Sequence, residues 1–153
     1  VADWARDVIA AHDTPSGLQV RYDRIVNDGC SLRRPDILID CLTHAIIIEA
    51  DEFQHGSLEY CSCENKRVMQ LFQDLGNRPL LILRFNPDAY LNLAGNKVQS
   101  CFKQHKRFDV PQIADKDEWA SRLKVLKGRL YSHAEYVPEQ ELTVEHLYYN
   151  GFC

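Results

Sequence analysis

No run of 18 apolar residues occurs anywhere in these 153 residues, so the sequence holds no span of the helical membrane type. A secretory signal pattern is missing too. The six cysteines are therefore expected to be reduced or metal-bound rather than paired, in an intracellular setting, cytoplasmic or nuclear. Repeats, low-complexity segments and linkers are lacking, which leaves a single domain over residues 1–153. The chain opens on Val1 rather than methionine, which fits a fragment of something longer or a processed domain. Positive charge is in deficit, with 18 Lys and Arg against 22 Asp and Glu and a net charge of −4. That argues against a protein that coats nucleic acid through bulk charge. It leaves room for an enzyme that docks a nucleic acid through local basic patches, of which Arg33-Arg34, Lys66-Arg67 and Lys103 to Arg107 are three.

What is present centres on Arg33 to His55, RRPDILIDCLTHAIIIEADEFQH. These are two apolar strands that carry carboxylates where a buried strand should have none. Asp36 follows Pro35 at the start of the first, and Glu49 and Asp51 stand at the end of the second. Residues two apart on a strand share a face, so Glu49 and Asp51 project together. A hairpin closed at Leu42-Thr43 pairs residues whose numbers sum to 85 and sets Asp36 opposite Glu49, with Cβ atoms about 5 Å apart. Three like charges at one spot are costly unless something positive sits between them. A hard divalent cation, Mg²⁺ or Mn²⁺, would answer that need through oxygen ligands. The plain alternative makes the two aspartates turn or cap residues and Glu49 a strand-end charge.

Along the chain, Trp4, Val8 and Ile9 fit one face of a first helix, broken at Pro15-Ser16-Gly17. Leu18, Val20 and Tyr22 alternate as a half-buried strand in 18–26, and Asn27-Asp28-Gly29 is turn chemistry. Asp51 to Glu59 reads as a polar loop. From Cys63 to Gly76 the period changes to helical, with Val68, Leu71, Phe72 and Leu75 as the stripe and Gly76 as the stop. Leu80 to Phe85 is an apolar strand ended by Asn86-Pro87. A short helix is expected near Ala89–Leu93, then a turn at Gly95-Asn96. Asp115 can cap a helix from about Lys116 to Tyr131, with Trp119, Leu123, Leu126 and Leu130 inward. Val144, Leu147 and Tyr149 suggest a last strand.

Pro35-Asp36, followed by Glu49-Ala50-Asp51 at the end of an apolar strand, resembles the PD-(D/E)XK restriction-endonuclease-like superfamily. Gln54-His55, Glu64-Asn65-Lys66-Arg67 and the segment from Gln73 to Leu80 bring it closer to the very-short-patch-repair endonucleases. The resemblance covers about Trp4 to Pro87. It implies an α/β fold with a restriction-endonuclease-like core (helix, three-strand meander, helix, strand) followed by a C-terminal helix and strand. It also implies Mg²⁺-dependent cleavage of a DNA phosphodiester, as endonuclease or nickase, by a monomer or a homodimer. Asp36 and Glu49 would hold the cation. Asp51 stands where many relatives keep a lysine, so that charge must come from elsewhere, and Asp51 is expected to join the metal ligands. His55 matches a histidine of the closer branch and is the expected acid or base. Lys66 is the expected replacement cation, and Asn65 falls near a family aspartate. A family acid from the first helix would be Asp3 or Asp7. A domain of the same fold that binds nucleic acid or protein without cutting is the competing reading.

Arg33, Arg34 and Arg67 are placed to touch DNA phosphates, which position a duplex without reading it. Cys61, Cys63, Cys101 and His105 have ligand types and spacings that suit a tetrahedral Zn²⁺ staple, with small buried hydrophobes as the alternative. Cys30 is a spare ligand, Cys41 is expected in the core, and Cys153 has no role.

Overall fold

Apolar alternation ended by turn chemistry builds the first half of the sheet. The computed structural model of the protein describes residues 18–22, 24, 26, 33–51, 58–103 and 112–150, with backbone alone for 58–63. The strands β1 (Gln19–Tyr22), β2 (Ile37–Asp40) and β3 (Ala45–Ala50) form an antiparallel meander. The β2–β3 register pairs Ile37 with Ile48 and Asp40 with Ala45, the sum of 85 read from the sequence. Asp40 fastens the turn. Its carboxylate accepts from Leu42 N and from both terminal nitrogens of Arg78, and Leu42 takes a left-handed φ of 67°.

The helix α1 (Leu58–Asp74) then crosses to β4 (Leu80–Phe85), which pairs parallel with β3. It starts earlier than the expected polar loop allowed. Its stop is the expected one: Gly76 has a φ of 78°, Asn77 N donates back to Phe72 O at 3.1 Å, and Gly76 N donates to Gln73 O at 3.0 Å. After β4 come two short hairpins, β5 (Tyr90–Leu91) with β6 (Lys97–Val98), and β7 (Phe102–Lys103) with β8 (Gln112–Ile113). The first of these replaces the short helix expected near Ala89–Leu93. The helix α2 (Lys116–Glu135) follows, capped by Asp115, whose side chain accepts from Glu118 N at 2.9 Å. The last strand, β9 (Leu142–Leu147), pairs parallel with β4 and ends before Tyr149, which the sequence had suggested belonged to it.

The result is a mixed α/β fold. Among the described residues, a five-stranded mixed sheet in the order β1-β2-β3-β4-β9 has one helix on each face. Leu38, Ala45, Ile47, Leu80 and Ile82 pack under Val68, Leu71 and Leu75 of α1. The alternate residues Ile37, Ile39, Ile46, Ile48, Leu81, Leu83 and Phe85 pack under Trp119, Leu123, Leu126 and Leu130 of α2. The expected sequence of three strands, helix and strand runs from β1 to β4, and the expected first helix lies outside the described residues. Among the described residues, no helix is long and apolar enough to cross a membrane.

Candidate functional site

The face under α1 changes character at one end. Leu38, Ile47, Ile82 and Val144 cross the sheet as an apolar row. One step toward the carboxyl ends of the parallel strands, the same face carries Asp36, Glu49, Arg84 and His146. Glu49 is the register partner of Arg84, and Arg84 of His146, while the β2–β3 register extended by one residue brings Asp36 opposite Glu49. Adjacent strands lie about 4.8 Å apart, so these four residues form one transverse line. The crevice beyond the carboxyl ends of parallel strands is where open α/β sheets bind ligands.

Asp36 precedes β2 and bridges to the end of β3, its Oδ2 accepting from Ala50 N at 2.8 Å. Glu49 is buried, and Arg67 Nη2 donates to its Oε1 at 2.7 Å. Burial pushes the Glu49 carboxyl up to about 7. Arg67 pulls it back, while the charges of Asp36 and Asp51 push it up further. Asp51, also buried, is gripped by Arg84 through Nε at 2.5 Å and Nη2 at 2.7 Å, and Tyr149 donates its hydroxyl to Oδ2. Arg84 Nη1 donates to Glu64 Oε1 at 2.5 Å. Burial works against the Arg84 charge, but the hydrogen bond and charge of Asp51 outweigh it and hold the guanidinium above its ordinary value. Burial and the Asp51 bond together push the Tyr149 phenol up. The His146 ring meets Tyr149 edge-on at 4.8 Å, and burial, with the Arg84 charge, lowers its pKa and keeps the imidazole neutral at pH 7.

The positive charge the carboxylates need is thus supplied in part by two arginines. Lys66, the expected cation on the helix, is exposed on α1, and Arg67 is the residue turned to the sheet. The reason is helical spacing: Glu64, Arg67, Val68 and Leu71 share the face that continues into the apolar stripe. Asn65 is exposed beside Glu64, which reaches the network instead. Arg33 Nε donates to Gln70 Oε1 at 2.9 Å, and the carbonyl of exposed Arg34 lies 3.5 Å from Arg67 Nη2, so this basic segment is docked on α1 beside the site. His55, with Gln54, Asp3 and Asp7, lies outside the described residues.

The sequence carried a readable sign of Arg84, the one charged residue in the strand LLILRF, and of Glu64, which extends the helical stripe. Tyr149 and His146 arrive from the far end of the chain, and no local pattern announces them.

Of the four expected zinc positions, Cys101 alone lies among the residues described with side chains. Cys61 and Cys63 lie in α1, in the stretch described by backbone alone. Cys101 is fully buried in the core on the α2 face, and burial pushes its thiol up to about 11. Cys41 packs against that same core. His105, Cys30 and Cys153 lie outside the described residues. Among the described residues, no three His, Cys, Asp or Glu side chains are grouped to hold a metal ion. No family model, curated protein or solved structure matches this chain.

Proposed function

We propose that the protein is a metal-dependent endonuclease or nickase with a restriction-endonuclease-like core, and that Asp36 and Glu49 hold its Mg²⁺ or Mn²⁺. The observation that carries this reading is the gathering of carboxylates at the carboxyl edge of the sheet. Glu49, Asp51 and Glu64 meet the guanidiniums of Arg67 and Arg84, and Asp36 stands opposite Glu49 in the extended β2–β3 register. Glu49 lies opposite Asp36, and burial, with the charges of Asp36 and Asp51, raises its pKa to about 7 against the pull of Arg67. Hard carboxylate oxygens fit Mg²⁺, which usually takes one or two carboxylates and completes its shell with water and substrate phosphates. When bound, such a cation supplies an activated water and stabilises charge developing on a phosphate.

The chain's own groups divide the remaining work. Arg84 and Tyr149 hold Asp51 rigid, which makes Asp51 a support of the site rather than a further ligand. Arg33 and Arg34 stand where a backbone phosphate would pass. His55 keeps its proposed part in proton transfer on the strength of the resemblance, and neutral His146 stands in line with Arg84 at the same edge.

A binding module without catalysis is favoured by one observation. The position where relatives keep lysine carries a carboxylate tied into a structural pair. Supercoiled plasmid with Mg²⁺ or Mn²⁺ separates the two. Nicking that EDTA abolishes, and that Asp36→Ala lacks while retaining its fold, is the expected result. Plasmid that stays supercoiled but shifts in a gel would establish the binding module.

A further inference from the structure

Arg84 and Arg67 stand at the same edge of the sheet but meet different carboxylates. Arg84 stands within β4 with 7% of its side chain exposed, and it grips Asp51 with a two-nitrogen fork and Glu64 with its third nitrogen. Arg67 stands on α1 with 22% of its side chain exposed and meets Glu49 through Nη2. Its Nη1 is 3.7 Å from Glu64, beyond hydrogen-bond reach. The carboxylate it meets is the one assigned above to the cation. A guanidinium in contact with Glu49 and a divalent cation on the same carboxylate would repel each other strongly. Arg67 also borders the docking edge, with the Arg34 carbonyl 3.5 Å from Nη2 and Arg33 tied to Gln70 one helical turn on. A guanidinium that leaves Glu49 there has a planar fork suited to a phosphate.

We propose that Arg67 is a displaceable positioning residue, and this rests on the metal reading above. Without cation it neutralises Glu49. A divalent cation at Asp36 and Glu49 releases it onto a phosphate of the nucleic-acid backbone. Cation and backbone binding are thereby coupled, each raising the affinity for the other.

The test uses Mn²⁺ alone by titration calorimetry, and a fluorescein-labelled DNA duplex by anisotropy in EDTA and in Ca²⁺. Without DNA, Arg67→Gln should bind Mn²⁺ at least about 5-fold more tightly than wild type, the lower end of ordinary coupling strengths. It should also lose the gain in duplex affinity that Ca²⁺ gives the wild type. Arg67→Lys, which keeps the charge without the fork, should bind Mn²⁺ within a factor of about two of wild type yet bind the duplex in Ca²⁺ more weakly. A residue that merely braces the fold would leave these affinities unmoved. Equal Mn²⁺ affinity in wild type and Arg67→Gln overturns the displacement and leaves the metal site standing. If none of the three folded proteins binds Mn²⁺, the metal reading falls and takes this inference with it.

Discussion

Glu49 sits where burial costs more than Arg67 returns, and the consequence is a pH dependence of definite sign. Its pKa rises from 4.5 to about 7 on folding, so the folded protein holds this proton more tightly than the unfolded chain. Stability from this group is complete below pH 4.5 and is lost as the pH climbs toward 7. The full window corresponds to about 3 kcal/mol. His146 works the opposite way, because its lowered pKa makes folding resist protonation as the pH falls below 6.5. The difference between wild type and Glu49→Gln isolates the first effect. Urea denaturation at pH 5 and pH 7.5 should show Glu49→Gln gaining on wild type at the higher pH. A difference that stays constant between the two pH values would show that Arg67 fully compensates the charge. At this scale the sequence was readable where a carboxylate broke an apolar run, as at Glu49 and Asp51, while Arg84 went unread inside the apolar strand Leu80–Phe85. It was silent on which cation each carboxylate would meet, since Arg67 was chosen over Lys66 by helix phase against a sheet not yet positioned.

Elements read well wherever one local rule governed them. The β2–β3 register followed from a hairpin closed at Leu42-Thr43 between two apolar runs, and α2 from a capping aspartate and a four-residue stripe. The stretch after β4 failed because its shape is imposed from outside. Arg122, fully buried on α2, donates to the carbonyls of Asn86, Asp88 and Gln99 at 2.8–3.0 Å, bonds Glu118 at 2.7 Å, and stacks 5.0 Å from the rings of Tyr90 and Tyr148. Those carbonyls are spent on a guanidinium and are lost to helical bonds, so the chain turns back as β5–β6 rather than coiling at Ala89–Leu93. Tyr149 escaped the reading for a related reason. Tyr148 takes a φ of 64°, which breaks the strand and sends Tyr149 down to Asp51. Arg122→Met should therefore strand three carbonyls, that of Asn86 fully buried, and cost about 3–5 kcal/mol, in the range for removing one partner of a buried charged network. Urea denaturation gives the loss. Hydrogen exchange at Leu91 and Val98 should accelerate more than at Ile47, since the hairpin depends on the clamp and β3 does not. Equal acceleration at all three would mean that Arg122 supports the core as a whole.

At the scale of the molecule, the two described helices cover an apolar sheet and leave the line of Asp36, Glu49, Arg84 and His146 at its carboxyl edge, so the stability of the whole is linked to what binds there. A ligand that binds only the folded state stabilises it by an amount set by its concentration over its dissociation constant, about 2.7 kcal/mol at a hundredfold excess. For a chain of 153 residues, each kcal/mol raises the melting temperature by about 2–4 °C, so saturating Mg²⁺ or Mn²⁺ should raise it by about 5–10 °C. EDTA should reverse the rise. Asp36→Ala separates specific binding from a general salt effect. Without cation it should melt at or slightly above the wild-type temperature, because one of the charges that pushes Glu49 up is gone, although the bond from Ala50 N is given up as well. With cation it should gain little. K⁺ at matched ionic strength controls for screening, which acts on exposed charges regardless of site. A wild-type rise with Mg²⁺ that Asp36→Ala shares in full would place the cation somewhere other than the Asp36–Glu49 pair. The carboxyl edge would then be a rigid, self-neutralised corner of the fold, with Arg67 and Arg84 as its permanent counter-ions.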